Sequence, residues 1–228
     1  MVSAPDLVPE LVTDELDLIR RAVPVARADL LDLGCGDGAM ARRLAATGAR
    51  VTAVEVNAAS IAPDPAVTVV EGRAEALPLA DAGFDAVLML KSLHHVPVAR
   101  MEAGLREVAR VLRPGGLLFC WEPVFAGPFN DIMRLFHDEQ PQRAAALAAL
   151  HRIIAEGTLE FRDERLFRTR IGFADFADFD RRMLHLPDLP QPVEGALLDQ
   201  VRQAWDRIAA PRGGQFERLM RLTLARRP

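Results

Sequence analysis

The chain has 228 residues, 50% hydrophobic and 26% charged, with a formal net charge of −4. That length suits one domain with a large core, and that charge excludes a general electrostatic attraction to nucleic acid or anionic lipid. Two cysteines exclude a disulfide framework. The longest apolar run, Ala144 to Leu150, is far short of the ~20 residues that cross a bilayer. The opening "MVSAPDLVPELV" lacks the basic start and apolar stretch of a signal peptide. A cytoplasmic protein with no membrane insertion is expected.

In chain order, residues 10–24 are expected to hold an N-terminal helix, with Leu16, Ile19 and Val23 on one face. "DLLDLG" is a strand ending in glycines, and "AMARRLAAT" follows with helical spacing. "RVTAVEV" and "AVTVVEG" are β-branched and alternating. "FDAVLMLK" is almost continuously apolar, as a strand covered on both faces should be. Val98, Met101, Leu105, Val108 and Leu112 mark a helix with one buried stripe, which "RPGG" stops before a fifth strand, "GLLFCWEP".

Residues 125–158 read as a mostly helical insertion after that strand, broken by a proline. "RLFRTRIGFADFADFDRRML" gives a sixth strand running into a short helix. "ALLDQVRQAWDRI" gives a helix, and "FERLMRLTLARR" closes the chain as a strand. No repeat or low-complexity linker divides the sequence, so residues 1–228 are expected to form a single domain. Strands alternating with helices imply parallel pairing through right-handed crossovers, hence a doubly wound α/β sheet.

The chemistry starts at "LLDLGCGDGAM", the first strand-to-helix turn. Gly34, Gly36 and Ala39 fit the G-x-G-x-x-A fingerprint of dinucleotide sites. Asp32, Gly34, Gly36 and Gly38 equally fit the D-x-G-x-G-x-G pattern of S-adenosylmethionine (AdoMet) sites. Glu55 ends the second strand, where a carboxylate suits a ribose diol under either template. Asp32, inside the strand end, suits a ligand with an ammonium group more than a pyrophosphate. Further along, "VEGRAEALPLADAGFDAVLMLKSLHHV" and "VARVLRPGG" have no place in a dinucleotide domain.

Together, Asp32 to Gly38, Glu55, "GRAEALPLADAGFDAV" and "LRPGGLLFCWEP" resemble the class I AdoMet-dependent methyltransferases. The likeness is to the small-molecule branch that includes the ubiquinone/menaquinone methyltransferases, and it spans roughly Leu30 to Pro123. It implies helices on both faces of a seven-stranded sheet in the order 3-2-1-4-5-7-6, the last strand antiparallel. It implies AdoMet as cofactor, S-adenosylhomocysteine as product, and Asp32, Gly34, Cys35, Gly36 and Gly38 around the methionine end. Glu55, with Val56 beside it, takes the ribose, and the Ala74 backbone meets adenine. Many relatives have Asp where this chain has Arg73, which leaves adenine to Glu75 or to backbone. In that strand order Cys35 and Cys120 are separated by about 10 Å, too far for a disulfide.

The resemblance implies methyl transfer to an O, N or C nucleophile of a small molecule, so candidate bases belong at the carboxyl ends of the strands. His94 and His95 follow the fourth strand; adjacent in sequence, they are a poor chelating pair. Glu122 ends the fifth strand and is the next candidate. "HDE" at His137 to Glu139 fans around a helix axis, so no metal site is expected. Lys91 is the one lysine beside 27 arginines, and it sits on the expected rim between AdoMet and substrate, where an ammonium suits an acidic substrate group. The helical insertion, with the N-terminal helix, is expected to close over the site like a lid. The rivals are a silent AdoMet-fold scaffold module and, more remotely, an NAD(P)-dependent oxidoreductase. No nucleic-acid partner is expected, and the sequence implies no particular oligomer.

Overall fold

The computed structural model describes residues 9–187 and 189–228, with Ser60 described for its backbone alone; residues 1–8, where no signal peptide is expected, lie outside the described residues. The chain runs β1 (Glu10–Leu11), α1 (Glu15–Ala22), β2 (Asp29–Leu33), α2 (Ala39–Ala45), β3 (Arg50–Glu55), β4 (Val67–Glu71), β5 (Phe84–Leu90) and α3 (Met101–Val111). It continues through β6 (Leu112–Pro123), α4 (Pro128–Met133), α5 (Gln140–Ala155), β7 (Glu160–Gly172), α6 (Phe176–Met183), α7 (Gly195–Ile208) and β8 (Gln215–Arg226).

The fold is the expected α/β sheet with helices, but it has eight strands, one more than the seven expected, in hydrogen-bonded order β1-β7-β8-β6-β5-β2-β3-β4. The added edge strand is β1, which pairs parallel with β7 through Glu10↔Phe167 and Leu11↔Arg168. It occupies residues expected to begin the N-terminal helix. That helix starts at Glu15, because Asp14 caps it by accepting from the Leu16 amide at 2.9 Å. Glu15 and Asp17 in the first turn and Arg20 and Arg21 in the last complement the helix dipole. β8 runs antiparallel to β6: Gly115 donates to Arg227 O, and Arg227 donates back to Gly116 O. The same pair of bonds explains why "RPGG" lies within β6 rather than forming a turn before it.

The residues gather into two compact units. The glycine-loop unit comprises Asp14–Glu122, Gln142–Arg165 and Arg221–Pro228. Its core is aliphatic, with Leu31, Val87, Met89, Leu105, Val108 and Leu118 sealed between strands and α3. Ala146, Ala149, Leu150 and Ile153 of α5 belong to the same core. The longer helix within residues 125–158 is thus a structural layer of this unit, held by its small and apolar face.

The aromatic unit comprises Pro123–Pro141, Leu166–Met220 and the described part of Met1–Thr13. Its core is built from Phe129, Phe136, Phe173, Phe176, Phe179, Trp205 and Phe216, with Ile132, Val201 and Ala209 filling between them. Trp205 meets Phe179 at a centroid distance of 5.0 Å and stands edge-on to Phe173 at 6.0 Å. Such arrangements follow the ring quadrupoles. No helix of the described residues is long and apolar enough to cross a membrane.

Candidate active site

A cavity of 700 Å³ opens at the carboxyl ends of β2, β3 and β5, within the glycine-loop unit. Its floor is the turn between β2 and α2. Gly34 and Cys35 both donate to Val54 O, at 2.9 and 3.3 Å, which fastens that turn to β3. Gly34 has φ +74°, and a Cβ there would lie 2.5 Å from Cβ of Ser92, so the turn and the loop after β5 pack without room for a side chain. Ser92 completes this junction by donating its hydroxyl to Leu33 O at 2.7 Å. Gly36 has φ +60° and differs, because an added Cβ would meet nothing within 4 Å. It presents bare backbone to the cavity.

Asp32 lies one residue before the end of β2 and is 1% exposed. Its Oδ2 has no hydrogen-bond partner among the described residues. Burial, and secondarily the charge on Glu55, push its pKa up from 3.8 to about 7. A buried carboxyl oxygen left over at a cavity wall is costly unless a donor arrives there. Glu55 accepts from the Gly36 amide at 2.9 Å and from the Val56 amide at 2.8 Å, so its carboxylate is already oriented along the rim. Val56 is 56% exposed and forms an apolar ledge beside it. Burial, then Asp32 and Glu55, raise the Cys35 thiol to about 12, so it is a neutral wall group and no nucleophile. Cys35 and Cys120 are both free, and the Cys120 thiol is raised by burial as well.

Asp32, Gly34, Cys35, Gly36, Glu55, Val56, Ala74 and Glu75 all line the cavity, as do Lys91 and His95. Three expected site residues do not. Gly38 is turned away, with Ile61 where its Cβ would be, and serves the start of α2. His94 is buried and pairs through Nδ1 with Glu122 Oε2, while Glu122 Oε1 accepts from the Leu93 amide at 2.9 Å. That pairing fixes the short turn Leu93–His95 to the end of β6 and takes both groups out of the cavity wall. The exposed His95 is left on the lining, its ring 4.1 Å from that of His94.

The sequence gives no sign of Glu15, Arg43 and Ser92, which also line the cavity. Ser92 follows directly on Lys91, but its role depends on the glycine across from it. Glu15 and Arg43 read as ordinary charges on two helix surfaces; what brings them here is the packing of α1 on α2, where Asp14 pairs with Arg43.

Residues 31–120 match a family model described as "Methyltransferase domain". The ubiquinone/menaquinone biosynthesis C-methyltransferase of Rubrivivax gelatinosus is 33% identical over 170 residues, 69% of this chain and 66% of that one. The demethylmenaquinone methyltransferase of Mycolicibacterium gilvum is 33% identical over 176 residues, 72% of this chain and 75% of that one. Among solved structures, a candidate methyltransferase of Bacillus halodurans superposes with a TM-score of 0.67 at 20% identity, over 94% of this chain and 99% of that one.

Proposed function

The chain belongs to the AdoMet-dependent methyltransferases, and from that premise we propose that the cavity of the glycine-loop unit binds AdoMet and presents its methyl group to a small-molecule acceptor at the end bearing Lys91 and His95. The observation that carries this reading is Asp32 Oδ2, buried at the cavity wall without a donor. AdoMet has an ammonium that fits that vacancy, a diol for the Glu55 carboxylate, and an edge that needs bare backbone such as Gly36. A pyrophosphate offers no donor to Asp32, which disfavours a dinucleotide.

When bound, AdoMet supplies an electrophilic methyl carbon on a sulfonium. The chain's own contribution is position. Gly34 and Gly36 keep the floor open, Asp32 would hold the ammonium of the ligand and Glu55 its ribose diol. Val56 would lie beside the ribose and Ala74 against the adenine, with Glu75 at its polar edge. Fixing both partners in one cavity would supply several kcal/mol of the barrier. His95 is the general base, taking the proton of an acceptor hydroxyl or amine. His94 and Glu122 hold the turn that carries His95 and are positioning residues. The relatives' names point to quinone-type acceptors, so phenols and quinols are the acceptor class to try first.

The test is transfer of a labelled methyl from AdoMet to a panel of phenols, quinols and amines. The reading expects transfer to at least one, with His95→Ala lowering kcat while leaving the affinity for S-adenosylhomocysteine intact. Equal loss of turnover and affinity in that variant makes His95 structural. Absence of transfer across the panel, with the product still binding, favours the silent scaffold module.

A further inference from the structure

The cavity lining carries both signs of charge: Asp32, Asp37, Glu55 and Glu75, with Arg73, Lys91 and Arg43. Lys91 and Arg43 both pair with the start of α1: Lys91 with Glu15 at 3.6 Å, Arg43 with Asp14. Glu15 itself lines the cavity.

Lys91 is held there at a cost. Its φ is +62°, a left-handed conformation that disfavours a side-chain-bearing residue by roughly 1–2 kcal/mol. The Lys91 amide still donates to Trp121 O at 2.8 Å, so the strand pairing persists while the side chain leaves the sheet. The ammonium lies 5.5 Å from the centroid of the Trp121 ring, a face that suits a cation. A glycine would relieve the backbone; the strain persists with the chain's single lysine in place.

The pairing with Glu15 is loose. At 3.6 Å, with side chains 37% and 32% exposed, it is worth at most about 1 kcal/mol. An incoming carboxylate can therefore displace Glu15 at small cost and gain a charge-assisted hydrogen bond. A cation here does nothing for a cationic sulfonium.

Resting on the AdoMet reading above, we propose that Lys91, supported by Arg43, is the specificity-determining residue for an anionic group on the methyl acceptor, and that Glu15 occupies its ammonium until the acceptor enters. The ligand class is a small aromatic or aliphatic acid whose nucleophile reaches His95 while its carboxylate reaches Lys91. The amino-acid carboxylate of the cofactor has the same chemistry, so the experiment separates the two.

Benzoate and benzamide, alike in shape and different in charge, are titrated calorimetrically into the protein saturated with S-adenosylhomocysteine. The wild type is expected to prefer benzoate about tenfold, the effect of one charge-assisted hydrogen bond. Lys91→Met should remove the preference, and Glu15→Gln should tighten benzoate alone, an effect opposite in sign that misfolding does not produce. Equal binding of the two probes or none, a preference that survives Lys91→Met, or weaker benzoate binding in Glu15→Gln overturns the proposal. A fall in S-adenosylhomocysteine affinity in Lys91→Met that matches the loss of benzoate assigns the ammonium to the cofactor and also overturns it. If the wild type itself does not bind S-adenosylhomocysteine, it is the functional reading that has failed.

Discussion

The two units of this chain are stabilised in different ways, and the difference decides what each can do. In the glycine-loop unit an aliphatic core supports strand ends whose loops are strained, close-packed and polar. Gly34 has no room for a Cβ, Lys91 sits at positive φ, and Asp32 is buried with an oxygen unsatisfied. In the aromatic unit, rings pack on rings, and arginines cover the outer faces, as Arg202 does over Phe176 at 4.1 Å. That unit also buries an unpartnered hydroxyl, Thr169 Oγ1, and has its own crowded glycine, Gly214, but among its described residues no carboxylate is buried as Asp32 is. Free energy gained by burial in the first unit is offset at its cavity, where the proposed ligand would relieve it.

The comparison can be broken by substitutions that should affect one unit's property and not the other's. The largest effect on stability is expected from Trp205→Ala, which removes the ring at the centre of the aromatic core and should cost about 3–5 kcal/mol in urea unfolding. The folded fraction should bind S-adenosylhomocysteine with unchanged affinity; a weakened affinity would tie the cofactor site to the aromatic core. Gly34→Ala should cost about 2–4 kcal/mol, from positive φ plus the Ser92 clash, and should also abolish binding. Gly36→Ala sharpens the contrast within one loop. With nothing near its Cβ it should cost only about 1–2 kcal/mol of stability, yet it should lose affinity because the methyl enters the ligand's space.

A pH dependence is expected as well. The Asp32 pKa is raised from 3.8 to about 7, so its contribution to stability is fully present below the unfolded value and is lost as pH rises through the folded one. Asp29 acts in the opposite sense. Hydrogen bonds from Arg50 and Arg113 hold it at about 2, so its contribution is lost only as the pH falls below about 4. The melting temperature of the ligand-free protein should therefore decline from about pH 5 to about pH 8, and Asp32→Asn should flatten that decline. An unchanged slope in the variant would show that Asp32 titrates normally.

The same contrast explains what could be read in the sequence. In the glycine-loop unit, backbone constraints leave chemical marks: glycines where side chains clash, a carboxylate at a strand end, alternating apolar strands. Asp32, Gly34, Gly36 and Glu55 were legible for that reason. Contacts made by packing leave no such marks. The pairing of His94 with Glu122 depends on β5 and β6 being neighbours, and it removes two plausible bases from the cavity. Glu15 reaches Lys91 only because Asp14 ends a strand-to-helix linker and caps α1. The packing of α5 was hidden for a related reason: its alanine-rich face is apolar enough to be core, and the sequence does not say which layer it joins. β1, two residues long, is below what periodicity can detect.

The measurement that bears most directly on the central claim is a calorimetric titration of the wild type and Gly36→Val with S-adenosylhomocysteine, with NADPH as control. Binding of S-adenosylhomocysteine to the wild type, none of NADPH, and loss of binding in a folded Gly36→Val variant is the predicted result. Equal heats for both ligands, or undiminished affinity in Gly36→Val, would contradict the assignment of this cavity to AdoMet.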